Sequence, residues 1–180
     1  MEIFAQAVGI VAMLFFVFSY QQKSAKGIIT LQMIGTALFA INFLLLGEFL
    51  GACLNLIACI RAILFLQKKK LHTDNIPWLI GFTVSYLAAY VLSFTVFGTE
   101  PTLSNLLLQC CPVLGMFFMH LGMRNEDTQK IRFLCLFSSI SWLIFNSAVL
   151  AIGGMLGESF NLVSITVAFF RFKKAPQETK

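Results

Sequence analysis

The sequence predicts an all-α membrane protein of seven transmembrane helices, and three observations predict it. The 180-residue chain is 58% hydrophobic and 12% charged, at a mean hydropathy of +0.85; no water-soluble domain keeps that balance. Seven apolar stretches approach the roughly 20 residues needed to cross about 30 Å of hydrocarbon. The basic residues between them fall on one side of the membrane that those stretches define.

The first stretch, Ile3 to Tyr20, has no basic n-region and no small-residue cleavage site before Tyr20, so it reads as a retained helix and not a signal peptide. The second, Ile28 to Gly47, and the third, Phe49 to Gln67, meet at a short glycine-containing turn. The fourth runs from Pro77 to Phe97, the fifth from Leu103 to Gly122, the sixth from Ile131 to Ile152 and the seventh from Met155 to Phe172. Almost nothing is left over for a soluble domain.

Charge tests the number seven. With the N-terminus on side A, side B holds Lys23, Lys26, Lys68, Lys69, Lys70, Arg124, Lys130, Arg132, Arg171, Lys173, Lys174 and Lys180, all but one of the 13 Lys and Arg. Side A holds Glu2, Glu48, Glu100 and Glu158, the last at the outer end of the seventh span, so no carboxylate is expected deep inside a span. A count of six would scatter the basic loops over both faces. The positive-inside rule then puts the N-terminus outside and the C-terminus in the cytoplasm.

The net charge of +5 is concentrated in these juxtamembrane loops, where anionic lipid is the partner; no separate basic patch points to nucleic acid. Cys53, Cys59, Cys110, Cys111 and Cys135 lie within spans without CxxC spacing and read as small apolar packing residues, with no metal site. His72 and His120 lack a spaced second ligand or acid, so no enzyme and no cofactor is expected.

The chain repeats weakly. With Asn42 set against Asn146, Leu38-Phe39-Ala40-Ile41-Asn42 lies beside Trp142-Leu143-Ile144-Phe145-Asn146. After a two-residue insertion, Gly51-Ala52-Cys53-Leu54-Asn55-Leu56-Ile57 lies beside Gly157-Glu158-Ser159-Phe160-Asn161-Leu162-Val163. Residues 1–76 and 101–174 are thus expected to be two parallel three-helix repeats, with 77–100 an inverting linker helix and 175–180 a cytoplasmic tail. This 3+1+3 arrangement has its axis along the membrane normal.

At 1.5 Å per residue, Asn42, Asn55, Asn146 and Asn161 share a layer roughly 10 Å below the outer turns. An amide in hydrocarbon needs partners; either the layer is interhelical glue or it contacts a ligand, with Asn55 and Asn161, at equivalent positions, the pair that favours a ligand. Trp142, one turn before Asn146 on the same face, is either a core aromatic or a platform beside the carboxamide. Arg61, the one formal charge well inside a span, either snorkels to the cytoplasmic interface or serves an inner gate or an anionic group. Gln6 and Gln109 either pack or line a central path, and Pro112 in the fifth span offers a hinge. The absence of an intramembrane carboxylate favours facilitated diffusion over proton coupling.

The stretch Ser19-Tyr20-Gln21-Gln22-Lys23-Ser24-Ala25-Lys26-Gly27-Ile28-Ile29-Thr30, with Asn42 and Leu45-Leu46-Gly47 after it, resembles the first repeat of PQ-loop proteins, the group that includes the SWEET (MtN3-like) sugar transporters. Gln21-Gln22 stands where that group carries its Pro-Gln pair. Over most of its length the chain resembles the YgjV family of bacterial inner-membrane proteins: a glycine-containing first helix, the Leu45-Leu46-Gly47 turn, Gly51-Ala52 opening the third helix, and Ile60-Arg61 within it. The resemblance implies the bacterial inner membrane and a SWEET-like pathway between two triple-helix units. By that analogy Asn55 and Asn161 match paired asparagines that face substrate.

The expected function is facilitative transport of a small polar solute, sugar- or metabolite-like, by alternating access. Asn55 and Asn161 bind it, Asn42, Asn146 and Trp142 line the outer part of the site, and Arg61 biases the cytoplasmic exit. The partners are the solute and the lipid bilayer, and a homo-oligomer fits the same architecture. The alternative is a non-transporting scaffold, sorting receptor or partner subunit in which the asparagines only hold helices together.

Overall fold

The computed structural model describes residues 2–148 and 152–172. These form eight helices, α1 (Glu2–Ser19), α2 (Ala25–Leu46), α3 (Phe49–Leu66), α4 (Lys68–Leu71), α5 (Ile76–Thr95), α6 (Leu103–Met123), α7 (Thr128–Ala148) and α8 (Ile152–Arg171), with no strand among the described residues. Six of them, α2, α3, α5, α6, α7 and α8, are long and apolar enough to cross a membrane; the apolar part of α1, Phe4–Ser19, is shorter. At 1.5 Å per residue its 16 residues reach about 24 Å. The remaining helix, α4, is a single turn in the lysine-rich loop after α3.

Local chemistry sets the ends. The Ser24 hydroxyl accepts from Gly27 N at 3.1 Å to start α2, and Gly47 ends it at φ 78°, donating to carbonyls of the last turn. A side chain at that φ would press on the backbone, which is why glycine stands there. Pro77 opens α5, where its missing N–H costs nothing. The Thr102 hydroxyl accepts from Asn105 N to start α6. Pro112 lies inside α6 and takes away the hydrogen bond that the Leu108 carbonyl would otherwise accept.

The helices close a circuit of packed neighbours: α1 on α2, α2 on α3, α3 on α6, α6 on α7, α7 on α8 and α8 back on α1, with α5 against α3 and α6. Exchanging α1, α2 and α3 for α6, α7 and α8 maps this circuit onto itself. The core inside it carries Leu54, Tyr86, Met116, Trp142 and Phe145, while Phe18, Ile60, Val91, Leu107, Phe160 and Val167 stand exposed on the outside. Large apolar residues outward and polar ones inward is the pattern that lipid, not water, requires.

Small residues let the helices approach. A Cβ at Gly35 would lie 2.5 Å from the Phe16 ring, and one at Gly115 would lie 2.7 Å from the Trp142 indole. Without a hydrophobic drive between helices in lipid, such close backbone packing carries the association.

Two boundaries differ from the sequence expectation. The sixth span was expected to reach Ile152 and the seventh to begin at Met155; instead α7 is described to Ala148 and α8 is already helical at Ile152. Gly153-Gly154, which reads as a turn, is helix. The physical reason is contact: a Cβ at Gly154 would meet the Asn146 side chain at 2.6 Å, so the glycine makes room for α7 and does not bend the chain. Glu158, expected on the outer surface, therefore lies six residues into α8, about 9 Å along its axis. Arg132, expected in a cytoplasmic loop, sits in the second turn of α7, which begins at Thr128.

Candidate functional site

The polar residues of α3, α7 and α8 converge on one small cavity of about 40 Å³ between the helices. Asn55 comes from α3, Ser138, Ser139, Trp142 and Asn146 from α7, Glu158 and Asn161 from α8, and Tyr20 from the end of α1. Phe16, Phe39, Phe43 and Met116 supply apolar wall. A water needs about 10–15 Å³ of such space, so the cavity has room for roughly three.

Three of the four sequence-selected asparagines line this cavity, and each is held differently. Asn55 Nδ2 donates to Gly51 O at 2.9 Å, which turns its carbonyl oxygen away from its own helix. Asn161 Nδ2 donates to Glu158 Oε2 at 3.3 Å. The Oδ1 atoms of Asn146 and Asn161 are buried without a hydrogen-bond partner. Asn42 is glue: its Nδ2 donates to Ala5 O at 2.7 Å, fastening α2 to α1, and it borders a smaller space of about 20 Å³ with Gln6 and Gly154. Trp142 stacks on Phe43 at 6.3 Å and meets Phe145 edge-on at 6.0 Å, so it belongs both to the core and to the cavity wall.

Glu158 is the site residue that sequence reasoning missed. Its signal was present in the repeat, where Gly157-Glu158 matches Gly51-Ala52 at the opening of a helix. The misplaced turn at Gly153-Gly154 hid it. A carboxylate thus lies within the bundle, half-buried on α8 and lining the central cavity, which removes the basis for excluding ion coupling.

Arg61 neither snorkels nor enters this cavity. It is fully buried, and its Nη1 donates to the Tyr86 hydroxyl at 2.8 Å and to Met116 O at 3.0 Å. Its Nε and Nη2 have no partner. The Tyr86 oxygen also lies 3.4 Å from His120 Nδ1, and the His120 ring packs against Phe65 and Phe82 at 5.3 Å each. This cluster ties α3, α5 and α6 together. Tyr86 was legible only as a tyrosine in mid-span, whose hydroxyl must find a partner when buried.

A second buried arginine clamps the loop after α1. Arg132 Nε donates to Tyr20 O at 3.1 Å, Nη2 to Gln22 O at 2.7 Å, and Nη1 to Thr128 Oγ1 at 3.2 Å. Gln21, in the stretch that resembles a PQ-loop, donates to the Ser164 carbonyl and hydroxyl of α8 at 3.0 Å. Gln109 Oε1 is buried without a partner and lies outside the cavity lining.

At the opposite end of α2 from Gly47, an open cavity of about 580 Å³ gathers Lys23, Lys26, Lys68, Lys69 and Lys70 with Glu126 over a floor of Ile29, Phe65, Leu66 and Met123. The basic loops before α2 and after α3 thus share one face with the loop between α6 and α7. Among the described residues no group of three His, Cys, Asp or Glu side chains converges as a metal site.

Long apolar helices closed around a polar centre, with lipid-compatible outer faces, define a multi-pass helical membrane protein. The chain belongs to the Imp-YgjV family of bacterial inner membrane proteins, whose family model matches residues 3–176. No curated protein and no solved structure matches it.

Proposed function

We propose that this inner-membrane protein transports a small polar solute by alternating access. In this reading α1, α2, α3, α5, α6, α7 and α8 are seven spans in a 3+1+3 arrangement of SWEET-like, PQ-loop type. The N-terminus is outside and the C-terminus cytoplasmic, and α5 links two parallel three-helix units. The exchange symmetry of the helix contacts supports the two units, and the shared basic face supports the orientation.

The observation that carries the reading is the small central cavity, to which Asn55 and Asn161 contribute polar groups from matching Gly-x-x-x-Asn positions of α3 and α8. Buried polar groups without partners are costly in a membrane interior unless something binds them. At about 40 Å³ the cavity is too small for a metabolite-sized solute, which would enter as the two units part. Pro112 in α6 provides a weak point in the backbone for that motion. Arg61, locked by Tyr86, stiffens the contact of α3 with α5 and α6 on the cytoplasmic side of the cavity.

The test is a thermal-shift screen of polar solutes on purified protein, followed by uptake into proteoliposomes. A hit that stabilises wild type, but stabilises Asn55→Ala and Asn161→Ala much less, supports the site; Asn42→Ala, a glue position, should retain the hit. Equal stabilisation of all variants, or no uptake of any bound solute, leaves a non-transporting scaffold or partner subunit as the reading.

A further inference from the structure

We infer that the solute bound in the central cavity is a cation carrying a primary ammonium group, with Glu158 as its counter-charge. The inference rests on the transport reading and specifies the class of its solute.

The cavity holds a carboxyl group and no cationic side chain in its lining. Glu158 lines it from α8, and its hydrogen-bond partner is the Asn161 amide at 3.3 Å. The helices packed on α8 are α1 and α7. The titratable groups they bring near the carboxylate are the Tyr20 phenol and the Cys135 thiol, both neutral donors at most. The arginine of α7, Arg132, is committed to Tyr20 O, Gln22 O and Thr128. Arg61 on α3 is held by Tyr86 and Met116 and does not line the cavity.

The asparagine oxygens are biased the same way, and the unpartnered Tyr20 and Ser138 hydroxyls that also line the cavity can accept as well as donate. Asn146 and Asn161 are each 2% exposed, and their Oδ1 atoms have no donor. Asn55 has already used its amide nitrogen on Gly51 O, which leaves an acceptor. A site with one carboxylate and three spare carbonyl oxygens asks for a ligand rich in N–H groups and positive in charge. An ammonium group offers three donors and no acceptor. A polyol can donate through its hydroxyls but brings no positive charge to meet the carboxylate, and an anion would be repelled by it.

The apolar wall completes the fit. Phe16, Phe39, Phe43 and Trp142 form a continuous row, with successive ring centroids 5.7, 6.2 and 6.3 Å apart. Aromatic faces attract cations, most strongly where water is excluded. The space of about 40 Å³ accepts an ammonium or methylammonium group as it stands; a longer amine needs it wider.

The decisive measurement uses pairs of matched size in detergent-solubilised, full-length protein: methylammonium against methanol, and ethylammonium against ethanol, by thermal shift and by competition for uptake into proteoliposomes. The amines should stabilise wild type in a saturable way and the alcohols should not. In Glu158→Gln, nearly isosteric, the amine affinity should fall at least about tenfold, with the helical circular dichroism unchanged. Glu158→Asp, which keeps the charge, should retain part of the affinity if the Gln variant folds poorly.

Saturable binding of a neutral polyol or an anion, equal in wild type and Glu158→Gln, overturns the cationic assignment while leaving transport standing. A wild-type stability that varies with pH through Glu158 but ignores every amine also overturns it, because the positive charge is then a proton. Transport of no solute at all defeats the transport reading itself.

Discussion

Removing the Tyr86 hydroxyl should destabilise the bundle only while Arg61 is present. Tyr86 is 1% exposed, and its oxygen accepts from Arg61 Nη1 at 2.8 Å. A hydrogen bond to a charged group contributes roughly 1.5–3 kcal/mol, whereas interhelical bonds in membranes reach about 1.7 kcal/mol at most, because the unfolded helices also find partners. The ranges meet near 1.5 kcal/mol, which is the expected cost of Tyr86→Phe. The contact with His120 Nδ1, at 3.4 Å, is too long to add much. Arg61→Met should behave differently. It deletes a buried guanidinium whose Nε and Nη2 are unpaired, and replacing such a charge by an apolar side chain of similar volume is often neutral or stabilising. In that background Tyr86→Phe should cost less than about 0.5 kcal/mol, since both polar partners are gone. The assay is reversible unfolding in mixed detergent micelles, followed by the fluorescence of Trp78 and Trp142, as a double-mutant cycle. If Tyr86→Phe costs the same in both backgrounds, within about 0.5 kcal/mol, the arginine–tyrosine bond does not hold α5 to the bundle.

Gly154→Ala should cost about 1–3 kcal/mol, because the new methyl would lie 2.6 Å from Asn146 Cγ between packed helices; an unchanged midpoint in the same unfolding assay would mean that α7 and α8 do not approach as described. For orientation, single cysteines replacing Lys26 and Glu100, both exposed, in a cysteine-free background should react with a membrane-impermeant thiol reagent from opposite sides, Lys26→Cys only in inverted vesicles. Labelling of both from one side contradicts the seven-span reading.

The helical class, the position of most spans and the cavity asparagines were legible because each rests on a local rule. Apolar length marks a span, basic loops mark a face, and a carboxamide among leucines must turn inward. What was not legible depends on which surface a residue meets. Gly153-Gly154 satisfies the sequence rule for a turn, yet Gly154 serves the contact with Asn146; nothing in the local sequence separates the two uses of glycine. The same ambiguity placed Glu158 at the outer surface, in the first turn of the seventh span. Arg61 was recognised as the misfit, but its partner lies 25 residues away on α5, and pairing across helices is not written in spacing. Arg132 follows the charge rule for a cytoplasmic loop but lies in the second turn of α7, where the carbonyls of Tyr20 and Gln22 hold its guanidinium.

Two charged residues within the helices, Arg61 and Glu158, break the internal repeat, one in each half. Aligned on Asn55 and Asn161, Glu158 stands opposite Ala52, and Arg61 stands opposite Val167, which is 52% exposed. Glu158 precedes its asparagine by three residues and Arg61 follows its own by six, a difference of nine residues or about 13 Å of helical rise. They cannot form a pair at that separation, and the structure gives Arg61 other partners. What the two halves share, a Gly-x-x-x-Asn entry and a carboxamide facing inward, builds the cavity. What they do not share sets its charge. On the transport reading proposed above, symmetry alone would leave the cavity without a carboxyl group, so selectivity for charge would come from the positions where the repeat fails, and Glu158 is the failure that lines the cavity.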